Sequence, residues 1–155
     1  MVTCVGLKRG VMWSATATAA LWSCVASATL GQPEAFIQAE PQLGNASIKE
    51  TDRGSYRIHE IQQPSGTLIR EYAGNDGKVF AVTWHGPFVP NLRQILGSYF
   101  DEYAAAAKAG RQDRNHMLVR KSDLVVRVAG HMRAQSGLAY LPQAMPSGVT
   151  IGDLE

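Results

Sequence analysis

An α+β fold is predicted for this chain: an antiparallel sheet, a three-strand meander followed by two further strands, packed on one main amphipathic helix. Three features predict it. From Tyr56 onward, short apolar or alternating segments are separated by Gly, Pro, Asn and Asp turns, which is strand patterning. Leu92, Ile95, Leu96, Tyr99, Phe100 and Tyr103 fall on one stripe at helical spacing. The order is strands, helix, strands, with no repeating strand–helix–strand unit.

The elements follow in turn. Tyr56, Ile58 and Glu60 alternate with Arg57, His59 and Ile61 as a half-buried strand, and Pro64-Ser65-Gly66 turns the chain. Residues 67–72 form a second strand. Gly74-Asn75-Asp76-Gly77 is a hairpin signal, because these residues tolerate the positive φ angles of tight reversals. Residues 78–84 return as the third strand, with Phe80, Val82 and Trp84 expected on one face. Gly86-Pro87 and Pro90 end the meander. Asn91 caps the helix, Gln94 completes a capping box, and Gly110 is the natural stop. After a polar loop carrying Arg111, Asp113 and Arg114, residues 124–128 alternate as a fourth strand. Gly130 turns the chain, and residues 131–141 form a fifth strand, interrupted at Gly137.

The N-terminus reads as a targeting segment. Lys8 and Arg9 precede an uncharged run through Val25, and Ala26-Ser27-Ala28 offers the small-x-small exit that a signal peptidase accepts. Thr and Ser dilute that run, so it makes a poor permanent membrane span. The division is therefore a signal peptide over 1–28, a loosely ordered leader over 29–53 and a single α+β domain over 54–155. Leu21-Trp22-Ser23-Cys24 offers a second reading, a lipid anchor through Cys24. Trp22 is a poor fit to a lipobox, and soluble export to the periplasm or the exterior is the preferred reading.

Charge and cysteine content narrow the functional classes. Removal of Lys8 and Arg9 with the signal brings the basic side chains level with the 13 acidic ones. A net charge near zero argues against nucleic acid as a partner. Both cysteines, Cys4 and Cys24, lie in the signal, so the remaining chain offers no disulfide, thiolate nucleophile or cysteine-ligated zinc. No transmembrane segment is expected in the mature chain, and no motif calls for a cofactor.

Candidate chemistry is sparse. His59, His85, His116 and His131 show no metal-ligand spacing. His131 or His85 could serve as a general base with Asp123 orienting it, the basis of an alternative reading as a small hydrolase. Ser136 lacks the nucleophile-elbow context, and no phosphate-binding loop is present. The segment from Gly130 to Gly137 concentrates polar and cationic residues. His131, Arg133, Gln135 and Tyr140 are its candidate ligand or partner contacts, on what reads as a sheet edge. Trp84, Phe88, Tyr99, Phe100 and Tyr103 are core residues first, because they fall on inward faces.

Several blocks carry a resemblance: Arg70-Glu71-Tyr72, the run from Val79 to Pro87, the run from Leu92 to Phe100, Gly130-His131-Met132-Arg133-Ala134, and Ala139-Tyr140-Leu141-Pro142. In this order they resemble the domain-of-unknown-function family 2844, exported proteins of proteobacteria, and Leu30-Gly31 fits as well. Thr83, His85 and Gln135 depart from the residues expected there, which weakens a catalytic role for His85 or Gln135. The resemblance implies export and a single domain. The family has no established activity, so no catalytic residue is transferred. The expectation is an exported, non-catalytic module that binds an envelope protein or cell-surface component.

Overall fold

The computed structural model describes residues 30–33, 47–109 and 116–154. Cys24, Ala26 and Ala28, and with them the signal-peptide and lipid-anchor readings, lie outside the described residues. So do Ala35-Phe36-Ile37 and the loop carrying Arg111, Asp113 and Arg114.

Among the described residues, seven strands build one antiparallel sheet. They are β1 (Ser47–Asp52), β2 (Tyr56–Gln62), β3 (Leu68–Gly74), β4 (Val79–Gly86), β5 (His116–Arg120), β6 (Val125–His131) and β7 (Ala134–Tyr140). Their spatial order is β1-β2-β3-β4-β7-β6-β5. The predicted meander is β2 to β4. Its turns close with positive φ at Gly66 and Gly77, the conformation that glycine reaches without a Cβ clash. Two strands add to the predicted set. Ser47–Asp52, within the stretch read as a leader, pairs along β2, and His116–Arg120 pairs along β6. Leu30, from the same stretch, is fully buried and donates its N–H to the Ile95 carbonyl.

Helix α1 (Leu92–Leu96) starts at Asn91, whose side chain accepts the Gln94 N–H at 3.3 Å as the capping pattern predicts. The stripe read as one continuous helix is divided. Gly97, at φ 51°, ends α1, a 3₁₀ turn spans Gly97–Tyr99, and α2 (Phe100–Ala109) follows. The apolar spacing survives the break, so Ile95, Leu96 and Tyr103 are all buried in one core.

The sheet buries both faces. On the helix-covered face, Ile61, Ile69, Val82, Trp84, Val126 and Ala139 meet Leu96, Ile95 and Tyr103. Each fully buried aliphatic of this kind contributes roughly 1.5–3 kcal/mol relative to exposure. The opposite face carries a second cluster of Ile58, Tyr72, Phe80, Ala81, Leu138 and Leu154. Its cover is the segment after β7, which ends in a 3₁₀ turn at Ile151–Leu154.

Phe80 lies in this second cluster, apart from Val82 and Trp84. The reason is a bulge: Tyr72 pairs with Ala81 but Ala73 pairs with Val79, so Phe80 is the extra residue and the face alternation shifts by one. Two further expectations change. Gly137 lies within β7 and does not interrupt it. The Gly130–Gly137 segment is not a sheet edge, because β7 is flanked by β4 and β6; it forms the β6–β7 hairpin, and the edges are β1 and β5.

Candidate ligand-binding groove

The face carrying the tail holds more polar residues than its apolar cluster suggests. Strand alternation places Arg70 of β3, Thr83 of β4, Leu138 of β7 and Arg127 of β6 in one cross-strand row. The neighbouring row holds Leu68, His85, Ser136 and Ala129. Together with Leu154 these residues line a groove of about 420 Å³, with Trp84 and Gly137 also contributing to its lining. Three strand spacings of about 4.8 Å separate Arg70 from Arg127, so the two guanidinium groups flank the groove from backbones roughly 14 Å apart.

Each wall has a local cause. Arg70 is held by Glu60 across β2 and β3, with Nε donating to Oε1 at 2.7 Å. That bond, ahead of the opposing effect of desolvation, draws the Glu60 carboxyl below the usual 4.5. Leu154 is placed by the Tyr72 hydroxyl, which donates to its carbonyl at 3.1 Å. Burial raises the Tyr72 phenol above 10.0, against a hydrogen bond from Thr83 that favours the ionised form. The tail turn is closed by Asp153, which accepts both the N–H and the hydroxyl of Thr150 at 2.7 Å. These bonds lower the Asp153 carboxyl below 3.8. Ser136 spends its hydroxyl on the Ala129 carbonyl at 3.3 Å.

The sequence-predicted residues are dispersed. His85 stands exposed on the groove rim, paired across the strands with Ser136. Asp123 lies in the β5–β6 turn, on the order of 20 Å by strand rise from the row that holds His85, and farther still from His131 at the opposite end of β6. Neither histidine therefore meets Asp123. His131 and Gln135 do come together: Gln135 Nε2 donates to the His131 carbonyl at 2.7 Å, and both line a smaller pocket of about 250 Å³ that includes His116. Arg133 occupies the hairpin tip at φ 63°, beside Met132, which is 92% exposed. Tyr140 packs at the far end of β7 in the second core cluster, about 16 Å along the strand from Gln135. The quartet His131, Arg133, Gln135 and Tyr140 is therefore not one site. His59 is buried on the helix-covered face, directly across from buried Glu71. No group of three or more His, Cys, Asp or Glu side chains that could hold a metal gathers among the described residues.

Sequence reasoning missed Arg70, Thr83 and Arg127 as partners. Each is a polar interruption of an apolar strand, and that was the available signal. What makes them one site is the β4–β7 pairing, which joins segments far apart in the chain.

The fold and groove together define a sheet-based α+β domain with a mixed cationic and apolar cleft beneath its tail. The chain belongs to the DUF2844 family, described as "Protein of unknown function", whose model matches residues 26–154. Comparison with curated proteins and with solved structures gave no match. No helix among the described residues is long and apolar enough to cross a membrane.

Proposed function

We propose that the protein is an exported, non-catalytic binding module of the bacterial envelope, periplasmic or secreted, and that it binds in the groove between Arg70 and Arg127. The observation that carries this reading is the groove itself. At about 420 Å³ it has the size of a small-molecule site, and its lining combines leucines with a few convergent polar groups. Asp123, the acid that the hydrolase alternative pairs with His85, lies on the order of 20 Å by strand rise from the row that holds His85. Export is supported by the basic start, the uncharged run and the Ala26-Ser27-Ala28 exit.

Native mass spectrometry of the protein recovered from an exporting bacterial host, after expression of the full chain, tests both parts. A mass matching residues 29–155 is expected, with a bound molecule that is lost in an Arg127→Glu variant. A mass beginning at a diacylated Cys24 would contradict soluble export. A bound molecule retained unchanged by Arg127→Glu would place binding elsewhere.

A further inference from the structure

We propose that His116, His131 and Met132 form a binding site for a soft metal ion, copper(I), at the β6–β7 hairpin end of the sheet. The site is separate from the groove beneath the tail. Two imidazoles and a thioether line one pocket of about 250 Å³ there. The register brings the histidines together. His116 pairs with Ala129 across β5 and β6, and His131 lies two residues beyond Ala129 on the same strand. Side chains alternate along a strand, so His116 and His131 project from one face as diagonal neighbours, roughly 7–8 Å apart at the backbone. Two imidazoles at that spacing can converge on one ion. His85 shares the row through Ser136 and Ala129, but three strand spacings, about 14 Å, put it out of reach.

Met132 follows His131 at the hairpin tip. It is 92% exposed, so its unbranched side chain can turn over the pocket it lines without leaving a packed core. The tip itself is held. Gln135 Nε2 donates to the His131 carbonyl at 2.7 Å, and Arg133 closes the turn at φ 63°, where residues other than glycine seldom sit. Strain of this kind clusters at ligand sites. Met117 also lines the pocket but is engaged elsewhere: its sulfur accepts the Tyr103 hydroxyl at 3.7 Å, against the helix-covered core. The donor set chooses the ion. Hard cations prefer oxygen, whereas a thioether beside imidazoles suits copper(I).

The test is anaerobic titration of the protein with copper(I) in competition with bicinchoninate, a coloured copper(I) chelator. Cys4→Ser and Cys24→Ser are introduced so that no thiolate competes for the ion. A single ion per chain is expected to leave the chelator for the protein. Met132→Leu should weaken copper(I) binding by at least the roughly 10- to 100-fold that loss of a supporting partner costs other metal sites. Zinc(II) affinity should not change in that variant. His116→Ala and His131→Ala should each weaken binding of both ions. All three positions are exposed, so these variants should fold, which an unchanged melting temperature checks. Met117→Leu, the control, should leave copper(I) affinity as it is. Copper(I) is diamagnetic, so the Met132 methyl and both imidazole rings should shift in NMR spectra, far more than the Met117 methyl. Copper(I) that stays with the chelator, binds Met132→Leu equally well, or shifts Met117 and not Met132 would overturn the site.

Discussion

The indole of Trp84 lies against the backbone of Gly137. The two residues pair directly across β4 and β7, and a Cβ built on Gly137 would fall 2.0 Å from the indole Cζ2. Glycine is therefore required here by space, at a strand position where it is otherwise unfavourable. Gly137→Ala should push the indole out of its seat and destabilise the domain by about 1–3 kcal/mol, the usual range for overpacking a core. Urea unfolding followed by tryptophan fluorescence checks this. The same substitution in a Trp84→Leu background should cost clearly less, and an equal cost would show that the contact is not the cause.

Tyr72 and Leu154 anchor the tail over the groove. Tyr72→Phe removes the hydroxyl that donates to the Leu154 carbonyl and should cost about 1 kcal/mol. Leu154 is fully buried, and Leu154→Ala should cost more, about 2–4 kcal/mol, through lost burial and a cavity. Hydrogen exchange separates the two from a global effect: both variants should increase exchange in residues 142–154 well before the strands respond.

Glu60 predicts an acid-sensitive contribution. Its folded-state carboxyl lies below 4.5 because Arg70 hydrogen-bonds the charged form. A depressed carboxyl pKa stabilises the fold above the unfolded value and loses that stabilisation as pH falls through the folded one. The melting temperature of the native chain should therefore exceed that of Glu60→Gln at neutral pH. The gap should shrink as pH drops below 4.5. A gap that is constant with pH would assign the difference to packing.

Leu96 is fully buried where α1 meets the sheet. Leu96→Asp places a charge in that layer and should cost several kcal/mol, a large part of the total stability of an ordinary domain. A cooperative melt with an unchanged midpoint would contradict the assigned helix–sheet interface.

The strands that sequence resolved were those with an internal signal. β2 alternates, β3 and β4 are joined by Asn75-Asp76, and α1 and α2 share an apolar stripe with a cap at Asn91. What it missed depended on neighbours. β1 is an edge strand whose residues are almost all exposed, so it has no inward period to read. In β5 only Val119 is buried, too few residues for an alternation to show. Phe80 changed faces through a bulge, which alters parity without any mark in composition. The groove depended on β7 inserting between β4 and β6. Until that topology is known, Arg70 and Arg127 are two unrelated cations, and the Gly130–Gly137 segment reads as an edge. Two of its residues, His131 and Gln135, do share a pocket, but Tyr140 is separated from them by the length of the strand.

The most direct test of the central claim, that the groove beneath the tail is the binding site, is a backbone amide NMR titration of the exported protein with decanoate. The account predicts saturable shifts confined to Arg70, Thr83, His85, Arg127, Ser136 and Leu138, with further shifts in the tail around Leu154. Shifts centred on the hairpin tip at Met132 and Arg133 or on α2, with the groove residues unmoved, would contradict it.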